Sequence, residues 1–192
     1  MAHSVEFLLD EASELQIREQ WMALADAQLP SQADIRSATN RPHITAIAAE
    51  QISAEVDGAL ATVGMRLQFA VRLGGLVVFG HGPRRVIARL VVPTTELLSV
   101  HSAIVRLGAE FARRSAPAAV AGSGLFDHCM PGSWTPHVTL ARRVPLDRIG
   151  SVLGILSATD PEPDPAAVVT VTGLRRWDPD TGTDHIVGGR SC

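Results

Sequence analysis

The sequence predicts an α+β fold of antiparallel sheets flanked by helices, on three observations. Short apolar alternations of strand type recur along the 192 residues, between stretches with helical spacing. Several of these strands follow one another directly across Gly, Pro or Asp turns, which is hairpin order rather than the strict alternation of a doubly wound parallel sheet. With 46% hydrophobic residues, the chain is long enough for one domain with a sizeable core.

Val5, Phe7 and Leu9 alternate as a half-buried strand, and Asp10-Glu11 opens a helix with the apolar stripe Ile17, Trp21, Leu24 and Leu29. Trp21 is thereby assigned to the core. A second strand runs from His43 to Ala48, and Ile52, Val56, Ala59, Leu60 and Val63 then sit at helical spacing. Residues 65–80 and 84–92 read as two strands about the turn Gly80 to Pro83. After Pro93-Thr94, Leu97, His101, Ile104, Gly108 and Phe111 mark one face of a third helix. Residues 115–135 form a long segment of small residues, Gly and Pro, a length that is more often functional or mobile than accidental. A strand from His137 to Val144 follows, then a helix carrying Ile149, Val152, Leu153 and Leu156. The polar connector PEPDP at 161–165 leads to a last strand pair that starts at VVTVTGL and turns at Asp178 to Gly182.

Composition removes whole classes of chemistry. All 17 basic residues are arginine, and tyrosine is absent too. Without lysine there is no lysyl–nucleotide intermediate, Schiff base or phosphate-loop lysine, which closes the ATP-dependent ligase and nucleotide-triphosphatase mechanisms. Histidine, present seven times, is the one side chain here that titrates unperturbed near pH 7. A net charge of −3 argues against coating long nucleic acid, while a local arginine cluster still suits a small anion or an RNA end. Two distant cysteines, Cys129 and Cys192, exclude a disulfide framework and a four-cysteine zinc site. No signal segment or membrane-spanning stretch is evident, so a cytoplasmic protein is expected, a monomer by default and without an obligate protein partner.

One motif occurs twice. Arg41-Pro42-His43-Ile44-Thr45-Ala46 recurs as Thr135-Pro136-His137-Val138-Thr139-Leu140, and both copies open an expected strand. Alternation along a strand puts His43 with Thr45, and His137 with Thr139, on one face, while the residues between them anchor to a core. If a pseudo-twofold relates the halves, two imidazoles and two hydroxyls converge in one cleft. Such a cleft suits phosphodiester cleavage: one imidazole deprotonates water, the other protonates the departing ribose oxygen, and the hydroxyls hold non-bridging oxygens. Run backwards, the same apparatus joins a hydroxyl to a cyclic phosphate without ATP. No cofactor or metal is required.

At these residues the sequence resembles the 2H phosphoesterase superfamily, and within it the bacterial 2′-5′ RNA ligase and cyclic phosphodiesterase family. The resemblance extends to Leu73 through Phe79, to Pro83 through Val92 and to His137 through Arg142. It implies a bilobal fold with two antiparallel sheets, a pseudo-twofold and a central cleft, spanning residues 1–192 as one domain. It also implies catalytic pairs His43 with Thr45 and His137 with Thr139. The first copy continues Ala46-Ile47-Ala48 where the family commonly carries a leucine and then an aromatic residue. The expected substrate is a 2′,3′-cyclic phosphate or a 2′-5′ linkage, in an RNA end or a small nucleotide. A non-catalytic RNA-end or nucleotide-binding protein using the same cleft stands as the alternative. His43 is read as the general acid and His137 as the general base, although the motif's symmetry gives no physical preference.

Around the motifs, Arg41 precedes His43 by two residues, Arg142 follows from the resemblance, and Arg143 shares the parity of His137 and Thr139; all three are candidates for phosphate. Trp134 is the first candidate for stacking on a base, Phe79 the second by resemblance and Phe126 the third. His101, on an apolar helical face, is read as a hydrogen-bonded packing residue, and His3, His81 and His185 as solvated. Asp127-His128-Cys129 lacks a second close ligand pair, which leaves zinc unsupported.

Overall fold

In the computed structural model, which describes residues 2–115, 123–159 and 168–189, the first strand is β1 (His3–Leu9). Helix α1 (Glu11–Asp26) starts where the sequence places it, because the Asp10 carboxylate accepts the Ser13 N–H at 2.9 Å and caps the first turn. Ile17, Trp21 and Leu24 are buried along it, and Leu29 is buried just past its end. Strand β2 (His43–Ala49) carries the first motif. The helix expected from Ile52 begins later, as α2 (Val56–Gly64). Ile52 instead lies in β3 (Gln51–Ile52), held extended by pairing with β6 (Ala112–Arg113) and by the Ser53 N–H on the Phe111 carbonyl at 3.0 Å.

Strands β4 (Phe69–Phe79) and β5 (Arg84–Val92) form the expected hairpin. Residues 65–68 are not part of it, since Gln68 at φ 76° breaks extended geometry before Phe69. Helix α3 (Thr95–Gly108) is capped by the Thr94 hydroxyl, and Phe111 falls in a short 3-10 turn beyond it. Then come β7 (His137–Pro145), α4 (Ile149–Ala158), β8 (Val169–Asp178) and β9 (Thr183–Gly189). The connector at 161–165, residues 116–122 of the long segment and Cys192 lie outside the described residues.

The two sheets implied by the resemblance are joined. Among the described residues the strands form one antiparallel seven-stranded sheet, β1-β2-β7-β5-β4-β8-β9, beside the two-stranded β3-β6. A further pairing of β1 with β8 closes six of the seven into a hydrogen-bonded circuit. That circuit has two narrow joints: β2 meets β7 through Ile44 and Val138, and β4 meets β8 through Phe69, Ala70 and Val71. The joints separate a lobe of β1, β2, β8 and β9 from a lobe of β4, β5 and β7.

Helices cross between the lobes. Helix α1, which precedes the first motif, packs on β7 and α4, whereas α3, which precedes the second motif, packs on β2 and α2. Helix α2 also closes on β9 through Gly64 and Gly188, where a Cβ on either would come within 2.9 Å of the other's Cα. Only glycine permits that approach. Ile17, Leu24, Ile44, Ile47, Leu60, Ile87, Leu97, Ile104 and Leu174 belong to one continuous apolar core under both lobes. No described helix is long and apolar enough to cross a membrane.

Candidate active site

The two motifs lie side by side. Ile44 of β2 pairs with Val138 of β7 in antiparallel register, and both are fully buried. A local dyad at that pair sets His43 towards Thr139 and Thr45 towards His137, all four on the face turned away from Ile44 and Val138. His43, Thr45 and His137 are half-buried and Thr139 is 8% exposed. The pseudo-twofold expected from the duplicated motif is therefore that of one antiparallel strand pair.

The symmetry continues in the hydrogen bonds. His43 Nδ1 lies 2.8 Å from the Arg41 carbonyl, and His137 Nδ1 lies 2.7 Å from the Thr135 carbonyl, in each case two residues back. A carbonyl only accepts, so Nδ1 carries the proton in both rings and Nε2 is the nitrogen left for chemistry. Behind the rings, the Trp21 indole N–H donates to the Thr139 carbonyl at 3.0 Å, and the Trp134 indole N–H donates to the Thr45 carbonyl at 2.9 Å. Each motif strand is thus braced by an indole. Trp21 is indeed buried, but its polar edge has this second task, which apolar spacing on α1 does not reveal.

Electrostatics breaks the symmetry. Burial pulls the His137 imidazole below the usual histidine range; the Thr135 carbonyl resists this, and the positive charges of His43, Arg142 and His128 add to it. His137 is accordingly neutral at pH 7. His43 has a carboxylate beside it: Glu6 Oε1 stands 3.5 Å from His43 Nε2. Glu6 is 3% exposed, receives the Ser4 hydroxyl at 2.6 Å, and binds Arg175 at 2.8 Å. Burial pushes the Glu6 carboxyl up, but the charges of His43 and Arg175 together with the Ser4 and Arg175 hydrogen bonds outweigh it and hold the group below the usual glutamate range. Glu6 and Arg175 are functional candidates that the sequence reading missed.

The expected phosphate ligands are distributed unevenly. The Arg41 guanidinium rests on Glu14 of α1, with Nε 3.1 Å from Oε2, and Glu14 also holds Arg18. Arg142 is exposed and close enough for its charge to act on His137. The alternation argument for Arg143 fails, because the β5–β7 register shifts twice around Ile87 and Arg143 takes φ 58°, so parity with Thr139 is lost. Phe79 reaches the site, its ring 4.7 Å from that of His137. Trp134 already stacks on His101, at 3.8 Å with the planes 2° apart, so that ring face is taken. Phe126 packs against His128 and Arg114.

Other histidines sort by burial. His101 is 1% exposed and bonds the Ala46 and Cys129 carbonyls through Nε2, and burial lowers its pKa. His81 and His185 are exposed. His3 is not solvated as expected; it is 5% exposed, 3.2 Å from Asp180, because the β8–β9 turn folds over the start of β1. Among the described residues, His3, Asp178 and Asp180 could offer a metal three ligand atoms within 4.8 Å of one another, and none of them belongs to the motifs. Asp127, His128 and Cys129 form a 3-10 turn in which burial pushes the Cys129 thiol up to about 11. Surface recesses beside Gln51, Arg113 and Arg176 contain no motif side chain either.

An antiparallel circuit that brings two His-x-Thr strands together, with both Nδ1 atoms held by carbonyls and neither Nε2 so held, is the arrangement of a two-histidine phosphoesterase. The family model of the 2′-5′ RNA ligase superfamily matches residues 13–183, and the chain belongs to that superfamily. Among solved structures it is similar to a phosphoesterase (18% identity, 98% of this chain and 94% of the other, TM-score 0.51). It is also similar to Kluyveromyces marxianus Usb1 with uridine monophosphate (10% identity, 97% and 98%, TM-score 0.52) and to E. coli LigT complexed with NADP+ (19% identity, 96% and 91%, TM-score 0.50). At these identities the likeness is one of fold. No curated protein matches the sequence at a significant level.

Proposed function

We propose that the chain is a metal-independent phosphodiesterase that opens a 2′,3′-cyclic phosphate or cleaves a 2′-5′ linkage, in an RNA end or a small nucleotide. The observation that carries this reading is the paired geometry of the motifs: both imidazoles present Nε2 on one face, each with a threonine of the partner motif across from it. In the forward step a water oxygen attacks phosphorus as His137 Nε2 takes its proton. The P–O bond to the ribose oxygen breaks as His43 Nε2 delivers a proton to that oxygen. Thr45 and Thr139 donate to the non-bridging oxygens, and Arg142 supplies positive charge from the rim. Ligation is the same step with a ribose hydroxyl in place of water: its oxygen attacks the cyclic phosphate as His137 Nε2 takes its proton, and the ring P–O bond breaks as His43 Nε2 protonates the ribose oxygen that leaves. Membership of the superfamily supports phosphoester chemistry, and the nucleotides held by Usb1 and LigT favour a nucleotide substrate.

The test is turnover of 2′,3′-cyclic mononucleotides and a 2′-5′ dinucleotide, followed by phosphorus NMR. His43→Ala and His137→Ala are each expected to lower kcat by about 10²- to 10⁴-fold with unchanged circular dichroism, and EDTA to leave the rate alone. Turnover that survives either substitution overturns the two-histidine mechanism. Nucleotide binding without product assigns the cleft to a non-catalytic binder.

A further inference from the structure

The duplicated motif leaves the two histidines equivalent, yet general acid and general base need opposite protonation states. Something outside the motifs must distinguish them. Among the described residues only His43 of the two has a carboxylate against its reactive nitrogen: Glu6 Oε1 is 3.5 Å from Nε2. The charged groups that act on His137 are His43, Arg142 and His128, all of positive sign.

Glu6 is fixed in place. It lies on β1 directly across from Thr45 of β2 on one side and Arg175 of β8 on the other, so the three strands set a row of side chains running into the site. Arg175 binds Glu6 Oε2 through Nε at 2.8 Å and extends Nη1 to Asp184 at 2.9 Å and to the Thr39 carbonyl at 2.9 Å. Ser4 occupies Oε1 from the other side. Arg175 is 2% exposed, and a guanidinium there keeps its partner charged. Water screens little at this depth, so Glu6 and His43 act on one another although Arg175 shares the carboxylate.

We propose that Glu6, anchored by Arg175, is the positioning residue that selects His43 as the proton donor of the pair. Its separation from Nε2 is that of an ion pair rather than a short hydrogen bond, which stabilises the imidazolium and leaves the N–H available to a substrate oxygen. With the proton on His43 and none on His137 Nε2, one protonation state is ready for the forward reaction. Turnover moves the proton of water to His137 and that of His43 to the leaving ribose oxygen, and exchange with solvent restores both rings. The inference rests on the phosphodiesterase reading for its catalytic consequence, but the coupling of Glu6 to His43 is a property of the free protein.

Two measurements test it. Groups that face His43 are Glu6 from β1, Glu14 of α1 through Arg41, His137 from β7, and Arg175 with Asp184 from β8 and β9; Glu6→Gln changes one of them. Imidazole ¹⁵N titration by NMR is expected to show the His43 midpoint lower in Glu6→Gln than in the unsubstituted protein, with His137 moving less and in the opposite sense as the His43 charge is lost. The kcat profile then loses its alkaline side: the descending limb, which reports deprotonation of the acid, shifts to lower pH, and the ascending limb stays. About tenfold less activity at pH 8 and little change at pH 6 is the expected reading. If Arg175 left alone prevents folding, Glu6→Gln with Arg175→Gln removes both buried charges and gives the same shift. An unmoved His43 midpoint in a folded variant overturns the proposal, as does a uniform loss of kcat with both limbs in place. If the unsubstituted protein turns over no phosphodiester, the functional reading fails, and the ¹⁵N titration alone decides the coupling.

Discussion

Each motif imidazole is oriented by a carbonyl two residues back, and the backbone of each motif threonine is held by an indole behind it. The indole bonds carry a testable share of the site's rigidity. Trp21→Phe keeps most of the apolar contact but removes the donor to the Thr139 carbonyl; a loss of about 1 kcal/mol or more in urea denaturation is expected, with kcat reduced and KM little changed. Full activity in a folded Trp21→Phe variant would show that the brace is dispensable. The four motif residues were legible in the sequence because their signal is local, a tripeptide in a repeated setting. Glu6 was not. Period-two reading of β1 assigns Val5, Phe7 and Leu9 to a core and says nothing of what covers the other face; in the fold all seven residues of β1 are buried, because β2 and β8 flank it. The partner that decides the matter, Arg175, lies 169 residues away.

At the scale of elements, local chemistry set the beginnings that a side chain caps, as at α1 and α3, and missed those of α2 and β4. Asp10 starts α1, and its second oxygen also receives the Thr170 N–H at 2.6 Å, so one carboxylate ties a helix start to β8. Burial works to raise the Asp10 pKa, but the Ser13 and Thr170 hydrogen bonds prevail and the carboxyl is held below the usual aspartate range. Its contribution is therefore complete above the pKa of an unfolded aspartate, near 4, and fades as pH falls through the lower folded value. Asp10→Ala should cost about 1–2 kcal/mol at pH 7, and the gap to the unsubstituted protein should narrow below about pH 4, as followed by chemical denaturation. A constant gap would remove the carboxylate's charge from the explanation. The strands and their order followed from apolar alternation, whereas β3, β6 and the bulges of β7 did not, since each exists through a partner distant in sequence. The same bulges remove the parity of Arg143 with Thr139 on which its candidacy rested.

For the molecule as a whole, the shared sheet and crossed helices lead to the expectation that the two lobes unfold as one cooperative body. The sheet runs through both, and each motif strand is supported by the helix that leads to the other motif. Urea unfolding is expected to show a single transition in which tryptophan fluorescence and far-ultraviolet circular dichroism share a midpoint. Two separated midpoints would mean that the joints at Ile44–Val138 and Phe69–Val71 let the lobes melt independently. Duplication in the sequence announced two halves; their crossing could not be read there, because which helix packs on which strand is fixed by the path of the chain and not by apolar spacing.

The closure of β1 on β8 also sets an order of events in folding. β2 follows β1 closely in sequence, whereas the partner of β1's other edge, β8, begins only at Val169, and pairing over such a separation is expected to be slow. Through that interval the waiting edge carries Glu6, whose charge keeps it hydrated and unattractive to other strands. When β8 docks, Arg175 arrives opposite Glu6 and both charges leave water in the same step. The carboxylate that discourages misassembly is then in position beside His43, so the step that completes the sheet also completes the charge set around the first motif.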